Sequence, residues 1–312
     1  MTRPFRFGVQ ISSPVAGTTW QDTACRIESL GYSSLLMPDH FGDQYAPVPS
    51  LAAAAEVTGL TVGTLVFDND YKHPVVLAKE IATLEALTGG RVEFGVGAGW
   101  MRTDYEQSGI AYDTPGVRVD RFEESLPIYR GLLAGETVTA HGTHYQVTAM
   151  PGTPAPVRPG GPPLLIGAGG KRMLRLAGQW ADIVSINPNM AAGEVTAETA
   201  KDAMADEIDQ KVAWVREGAG NRFDQIEMST TLFFALVTDD AEVAKSTADG
   251  AGAMFGVSGD DIRATPIVAV GSADEIADSL RARRERWGFS YMLVPADALE
   301  ALAPVVAQLA GT

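Results

Sequence analysis

Two stretches decide the fold: Glu28-Ser-Leu-Gly-Tyr-Ser-Ser-Leu-Leu-Met-Pro38 and Glu285-Arg-Trp-Gly-Phe-Ser-Tyr-Met-Leu-Val-Pro295. Each reads as the end of a helix, a glycine stop, an aromatic residue, a short apolar strand and a proline. A glycine just past a helix supplies the left-handed cap that other residues resist, and a short apolar run bounded by breakers suits a strand buried on both faces. The same grammar recurs between them. Strand starts fall at Arg6, Ser34, Thr61, Arg91, Pro163, Ile183, Met228 and Tyr291, with amphipathic segments between, such as Val75–Leu87 with Leu77, Ile81 and Leu84 on one face. Regular alternation of buried strands and helices gives a parallel sheet covered by helices. Eight units favour an α/β fold of the (β/α)8 TIM-barrel type over an open, doubly wound sheet.

Three stretches exceed the bare barrel, as insertions after strands 4, 6 and 7. Gly135–Gly161 is rich in Pro, Gly and Thr, and Thr137–Thr148 alternates like a hairpin. Glu194–Gly218 reads as a long helical segment with Met204, Ile208, Val212 and Val215 on one face, and the Ala/Gly/Asp-rich Asp239–Pro266 reads as a mobile cover. Capping boxes are expected at Thr18 with Gln21 and at Ser272 with Glu275. No low-complexity linker divides the chain, so residues 1–312 are expected to form a single domain.

Composition removes several function classes. The chain has 312 residues, 46% of them hydrophobic and 20% charged, enough for a large core, and its 24 basic and 39 acidic side chains give a net charge of −15. Such a surface repels phosphate backbones and anionic lipid, so neither nucleic acid nor membrane is an expected partner. No apolar run approaches the roughly 20 residues of a membrane span, and Phe5–Ile11 is too short and too polar for a signal peptide. The one cysteine, Cys25, is expected in the core of the first helix and suits a reducing, cytoplasmic setting.

In a parallel barrel the chemistry lies just past the C-terminal ends of the strands. Those positions hold Gln10 and Ser12, Asp39-His40, Asp68-Asn69, Gly97 to Trp100, Gly167 to Gly170, and Asn187. His40 is the leading candidate for acid/base work, because imidazole titrates near neutrality; Asp68 and Tyr105 stand next in line. His73, before the helix-opening Pro74, reads as structural. His141 and His144 lack the further ligands that a metal site needs, so no metal is expected. Gly167-Ala-Gly-Gly170 opens a helix, whose free N–H groups could hold a phosphate. Gly95-Val-Gly-Ala-Gly99 follows a strand without matching the dinucleotide fingerprint, and neither a Walker A motif nor a Gly-x-Ser-x-Gly elbow is present.

These residues converge on a family. Pro38-Asp-His-Phe41, His73-Pro74, Ala78-Lys79, Leu87-Thr-Gly-Gly-Arg91, Gly95-Val-Gly-Ala-Gly-Trp100 with Asp104-Tyr105, Arg121-Phe-Glu-Glu124 and Pro162-Pro-Leu-Leu-Ile-Gly-Ala-Gly-Gly170 together resemble the bacterial-luciferase-like flavin oxidoreductases. Within them the resemblance is to the class that uses the deazaflavin coenzyme F420. It implies an F420-dependent oxidoreductase moving a hydride between the coenzyme and a small organic substrate; the alternative is an FMN-dependent monooxygenase using reduced flavin and oxygen. It further implies that His40 is catalytic and that Asp39 lies near the ring. Leu65 and Val66 match a position where the family often carries a non-proline cis peptide behind the ring, and Asn69 would reach its polar edge. Gly97, Ala98, Gly99 and Trp100, with Gly167, Ala168, Gly169 and Gly170, would hold the coenzyme's side chain and phosphate. A homodimer and a reductase that supplies reduced cofactor are the implied partners. Members acting on sugar phosphates carry a glutamate where this chain has Trp100, so a sugar phosphate is not the expected substrate.

Overall fold

A computed structural model describes residues 3–194, 199 and 201–312. Among these, eight parallel strands close into a barrel. They are β1 (Arg6–Gln10), β2 (Ser34–Met37), β3 (Thr61–Thr64), β5 (Val92–Gly97), β8 (Leu164–Ala168), β9 (Ile183–Ile186), β10 (Glu227–Thr231) and β13 (Phe289–Pro295). Closure is direct, since β1 pairs with β13 from Arg6↔Tyr291 to Gln10↔Pro295 and with β2 on its other side. The two-residue β4 (Phe67–Asp68) extends the wall beside β5.

Alternation along the strands separates two cores. Leu36, Leu65, Leu165, Ile183, Tyr291 and Leu293 pack inside the barrel, while Leu35, Val62, Phe94, Ile166, Val184 and Met292 belong to the larger layer beneath the helices. Full burial of each such side chain stabilises the fold by about 1.5–3 kcal/mol. The N-terminal end of the barrel is closed by charge. Arg6 stands 3.5 Å above the Tyr291 ring and reaches Glu93 at 2.5 Å and Glu227 at 2.7 Å. The C-terminal end is left for the site.

Helices α1 (Trp20–Ser29), α2 (Pro47–Val57), α3 (Pro74–Leu87), α4 (Arg102–Ser108), α5 (Pro115–Leu133) and α6 (Lys171–Trp180) follow in order. The first capping box lies one residue beyond its expected place: Thr19 caps Asp22, because the Thr18 hydroxyl is spent on Val15 O. The second is found as read, Ser272 with Glu275. Cys25 is exposed rather than core; it lies on the outer face of α1, whose buried stripe is Trp20, Thr23, Ala24 and Ile27.

The insertions take definite forms. Strands β6 (Thr137–His141) and β7 (Gln146–Pro151) make the expected antiparallel hairpin. Part of the segment after β9 lies outside the described residues. Within the rest, helix α7 (Ala205–Ala219) is shorter than expected, buries Ile208, Val212 and Val215, and has Met204 as its N-cap. The strand expected to start at Met228 ends at Thr231, and the run on to Val237 holds a second strand. After β10 the chain turns at Leu232-Phe233, and β11 (Phe234–Val237) leaves the barrel to pair with β12 (Val268–Gly271). Between them, Asp239–Pro266 holds two capped helices, α8 (Ala241–Phe255) and α9 (Gly259–Ala264). Helices α10 (Ala273–Trp287) and α11 (Leu299–Leu309) complete the shell.

Candidate active site

Strand β2 ends at Met37, and Pro38 turns the chain so that Asp39 and His40 stand at the barrel mouth, each half-buried. His40 Nδ1 is 2.6 Å from Asp104 Oδ2. Asp104 sits in the first turn of α4 and is 3% exposed. It also accepts from Phe41 N at 3.3 Å and from the Tyr71 hydroxyl at 3.1 Å. One carboxylate therefore fixes the ring and the loop that carries it. With Nδ1 engaged on a carboxylate, the neutral ring presents Nε2 as its acceptor. The Trp100 ring stands edge-on to His40, with centroids 5.7 Å apart.

A second group of acids forms the wall behind. Asp39 Oδ2 accepts from Asp68 N at 3.3 Å, and Asp68 accepts from the Tyr105 hydroxyl at 2.8 Å and from Asp70 N at 2.9 Å. Burial pushes the Asp39 carboxyl up to about 6 and that of Asp68 to about 7, and neighbouring carboxylates add to both shifts. Asp68 and Tyr105 are 6% and 0% exposed, so both are enclosed in this wall. Gly99 adopts φ +75° against it; a Cβ there would stand 2.0 Å from the Tyr105 hydroxyl and 2.3 Å from Asp68 Oδ2. The glycine thus serves the wall's packing as well as the turn.

The Leu65–Val66 peptide bond is cis, at the position the resemblance indicates. Its carbonyl, Leu65 O, accepts from Gln10 Nε2 at 3.1 Å. Val66 remains half-buried and lies over two glycines: a Cβ on Gly97 would come within 2.8 Å of its side chain, and one on Gly167 within 3.2 Å. Glycine at both positions lets Val66 settle onto the backbone of β5 and β8 as the floor of the mouth.

Other expected contacts take different places. Asn69 is fully buried, its Nδ2 donating to the Tyr145 hydroxyl and its Oδ1 accepting from that of Tyr129, both at 3.0 Å. Its side chain ties the hairpin to the barrel and presents no free amide at the mouth. Ala98 and Ala168 belong to the core layer beneath the helices, so only their backbone can face a ligand. Gly169 is required by the neighbouring chain, because a Cβ there would stand 2.3 Å from Pro188 O. Gly170 is different. It is the N-cap of the ten-residue α6, no side chain caps that helix, and a Cβ there would meet nothing closer than 3.7 Å. The free N–H groups of this first turn, with exposed Lys171 beside them, suit an anion; Arg172 is paired with Asp120 and Glu123.

His73 caps α3 by accepting from Val75 N, as its structural reading requires. Sequence reasoning did not assign Asp104 to the site. Its signal was an acid in the first turn of the helix that follows a strand-end glycine turn.

Residues 2–255 match the family model described as luciferase-like monooxygenase. The chain is 29% identical over 254 residues to an F420-dependent glucose-6-phosphate dehydrogenase of Nakamurella multipartita, covering 78% of this chain and 71% of that one. It is 33% identical over 192 residues to the protein of the same name from Microbacterium testaceum, covering 58% of this chain and only 56% of the relative. Among solved structures, the coenzyme F420 dependent tetrahydromethanopterin reductase of Methanopyrus kandleri shares the fold, with a TM-score of 0.73, 20% identity and 99% of each chain covered. The chain belongs to the luciferase-like monooxygenase family.

Proposed function

We propose that this protein is a coenzyme F420-dependent oxidoreductase, which transfers a hydride between the deazaflavin and a small organic substrate. Names of its relatives support the coenzyme. The observation that carries the chemistry is the His40–Asp104 pair at the mouth of a barrel whose floor is kept low by Gly97 and Gly167. When bound, F420 supplies a ring carbon that accepts or gives the hydride.

The chain supplies the rest. Val66 over its two glycines forms the seat for the ring, with Leu65, Asp39, Gly99 and Trp100 around it. The Gly167–Gly170 turn and the N-terminus of α6 would hold the phosphate. His40, anchored at Nδ1, takes or returns a proton at Nε2, and the Asp104 carboxylate stabilises the imidazolium that results. Asn69 acts through Tyr145 by holding the hairpin in place.

No described helix is long and apolar enough to cross a membrane. A cytoplasmic location, one working domain over residues 1–312, a homodimer and a reductase partner belong to the same reading. Titrating the purified apoprotein calorimetrically with F420 and, separately, with FMN tests it. Tighter F420 binding is expected. Tighter FMN binding, with oxygen consumption on adding reduced FMN, would replace this reading with the monooxygenase one.

A further inference from the structure

Across the mouth from the glycine turns of β5 and β8, a cavity of about 470 Å³ opens at the ends of β1, β10 and β13. It is within the size range of small-molecule sites. Gln10, whose amide is bonded to Leu65 O, forms part of its wall, so the cavity adjoins the floor described above. Its surface is mainly apolar, with Ile11, Val15, Pro38, Leu232, Phe233 and Pro295 prominent.

Of fourteen lining residues only Asp297 carries an ionisable side chain; no lysine, arginine or histidine is among them. A phosphate or carboxylate placed there would lose its hydration without gaining a partner cation, and would face a carboxylate of its own sign.

Apart from Asp297, the polar part of the wall is neutral. Thr231 lines the cavity, is 1% exposed, and its hydroxyl has no hydrogen-bond partner. Two residues back on the same face of β10 is Ser229, in register with Ser185 on β9; both are fully buried, and both hydroxyls also lack a partner. Buried polar atoms are nearly always satisfied, by the protein, by water or by a ligand. Of these three residues only Thr231 lines the cavity; a hydroxyl can donate to a carbonyl oxygen or accept from an alcohol, so Thr231 matches a neutral oxygen rather than a charge.

We infer that this cavity is the substrate subsite, and that it takes a neutral, largely apolar ketone or alcohol, bound at its oxygen by Thr231, and excludes phosphate esters. A ketone and its alcohol differ by one hydride at carbon and one proton at oxygen. The inference rests on the proposed function only for the coenzyme that supplies or receives that hydride.

Saturation-transfer NMR on the full chain, with and without F420, tests it using acetophenone, 1-phenylethanol and glucose 6-phosphate as probes. Both neutral probes are expected to bind, and glucose 6-phosphate is not. Ala296→Trp and Val15→Trp each fill the cavity, the second from an exposed loop position, and should weaken acetophenone binding at least about tenfold with an unchanged circular dichroism spectrum. Thr231→Val keeps the shape without the hydroxyl and should weaken it about two- to tenfold. Glucose 6-phosphate binding as tightly as acetophenone, or acetophenone binding unmoved by both tryptophan variants, overturns the inference. Failure of the coenzyme reading shows separately, in the F420 and FMN titrations, because the neutral probes are also measured on the chain alone.

Discussion

Asp104 Oδ2 lies 2.6 Å from His40 Nδ1, although 64 residues separate the two in sequence. The pair joins the loop after β2 to the helix after β5, and it sets which ring nitrogen is free at the mouth. Removing the imidazole should remove the proton transfer. His40→Ala and His40→Asn are both expected to slow hydride transfer by about 10²–10⁴-fold with little change in F420 affinity. Asp104→Asn keeps an acceptor for Nδ1 but not the charge, and should slow the same step at least about tenfold. Single-turnover rates beside coenzyme titrations decide this. Parental rates in both His40 variants would make His40 a structural rim residue.

Gly169 and Gly170 are neighbours with opposite tolerances. A side chain at Gly169 must displace the Asn187-Pro188 backbone, so Gly169→Leu should lower the melting temperature by several degrees, about 1–3 kcal/mol of overpacking. Gly170→Leu has room for its Cβ and should melt close to the parent. It would nevertheless cover the first turn of α6 and weaken F420 binding at least about tenfold. Unchanged affinity in a folded Gly170→Leu protein would remove the phosphate from this helix end.

Burial raises the Asp68 carboxyl from its ordinary 3.8 to about 7. The folded state therefore holds this proton to higher pH than the unfolded state does, and stability falls as pH rises from about 4 to about 7. Asp39, raised to about 6, adds in the same direction. Asp68→Asn cannot ionise, so its unfolding free energy should decline less across that interval. Denaturant unfolding of both proteins at pH 4, 5.5 and 7 gives the slopes; parallel slopes would mean that Asp68 ionises in the fold as easily as in the unfolded chain.

Tyr145→Phe separates the supporting role of Asn69 from coenzyme binding. The substitution leaves Asn69 Nδ2 buried without the partner it now has at 3.0 Å, at a cost of about 1–3 kcal/mol. Stability measured by urea unfolding should fall by that amount, while F420 affinity stays within about twofold of the parent.

The barrel was legible in the residues because its signal is local. Apolar runs such as Leu35-Leu-Met37 and Met292-Leu-Val294, each led by a glycine stop and closed by a proline, mark strands whether or not their partners are known. The strand-end positions of Asp39, His40 and Gly97 to Trp100 followed from the same pattern. What the local pattern could not give was the distribution of partners. Nothing near Met228–Val237 says that the chain leaves the barrel after Thr231, since that depends on β12 lying alongside β11. Asn69 occupies a strand-end position like His40, yet its amide is consumed by Tyr129 and Tyr145 from distant segments. Gly169 and Gly170 are identical residues in one turn, and only the approach of Pro188 distinguishes them. Sequence fixes which backbone conformations and burial patterns are favourable along the chain; long-range packing decides which polar atoms are already satisfied and which remain free to meet a ligand.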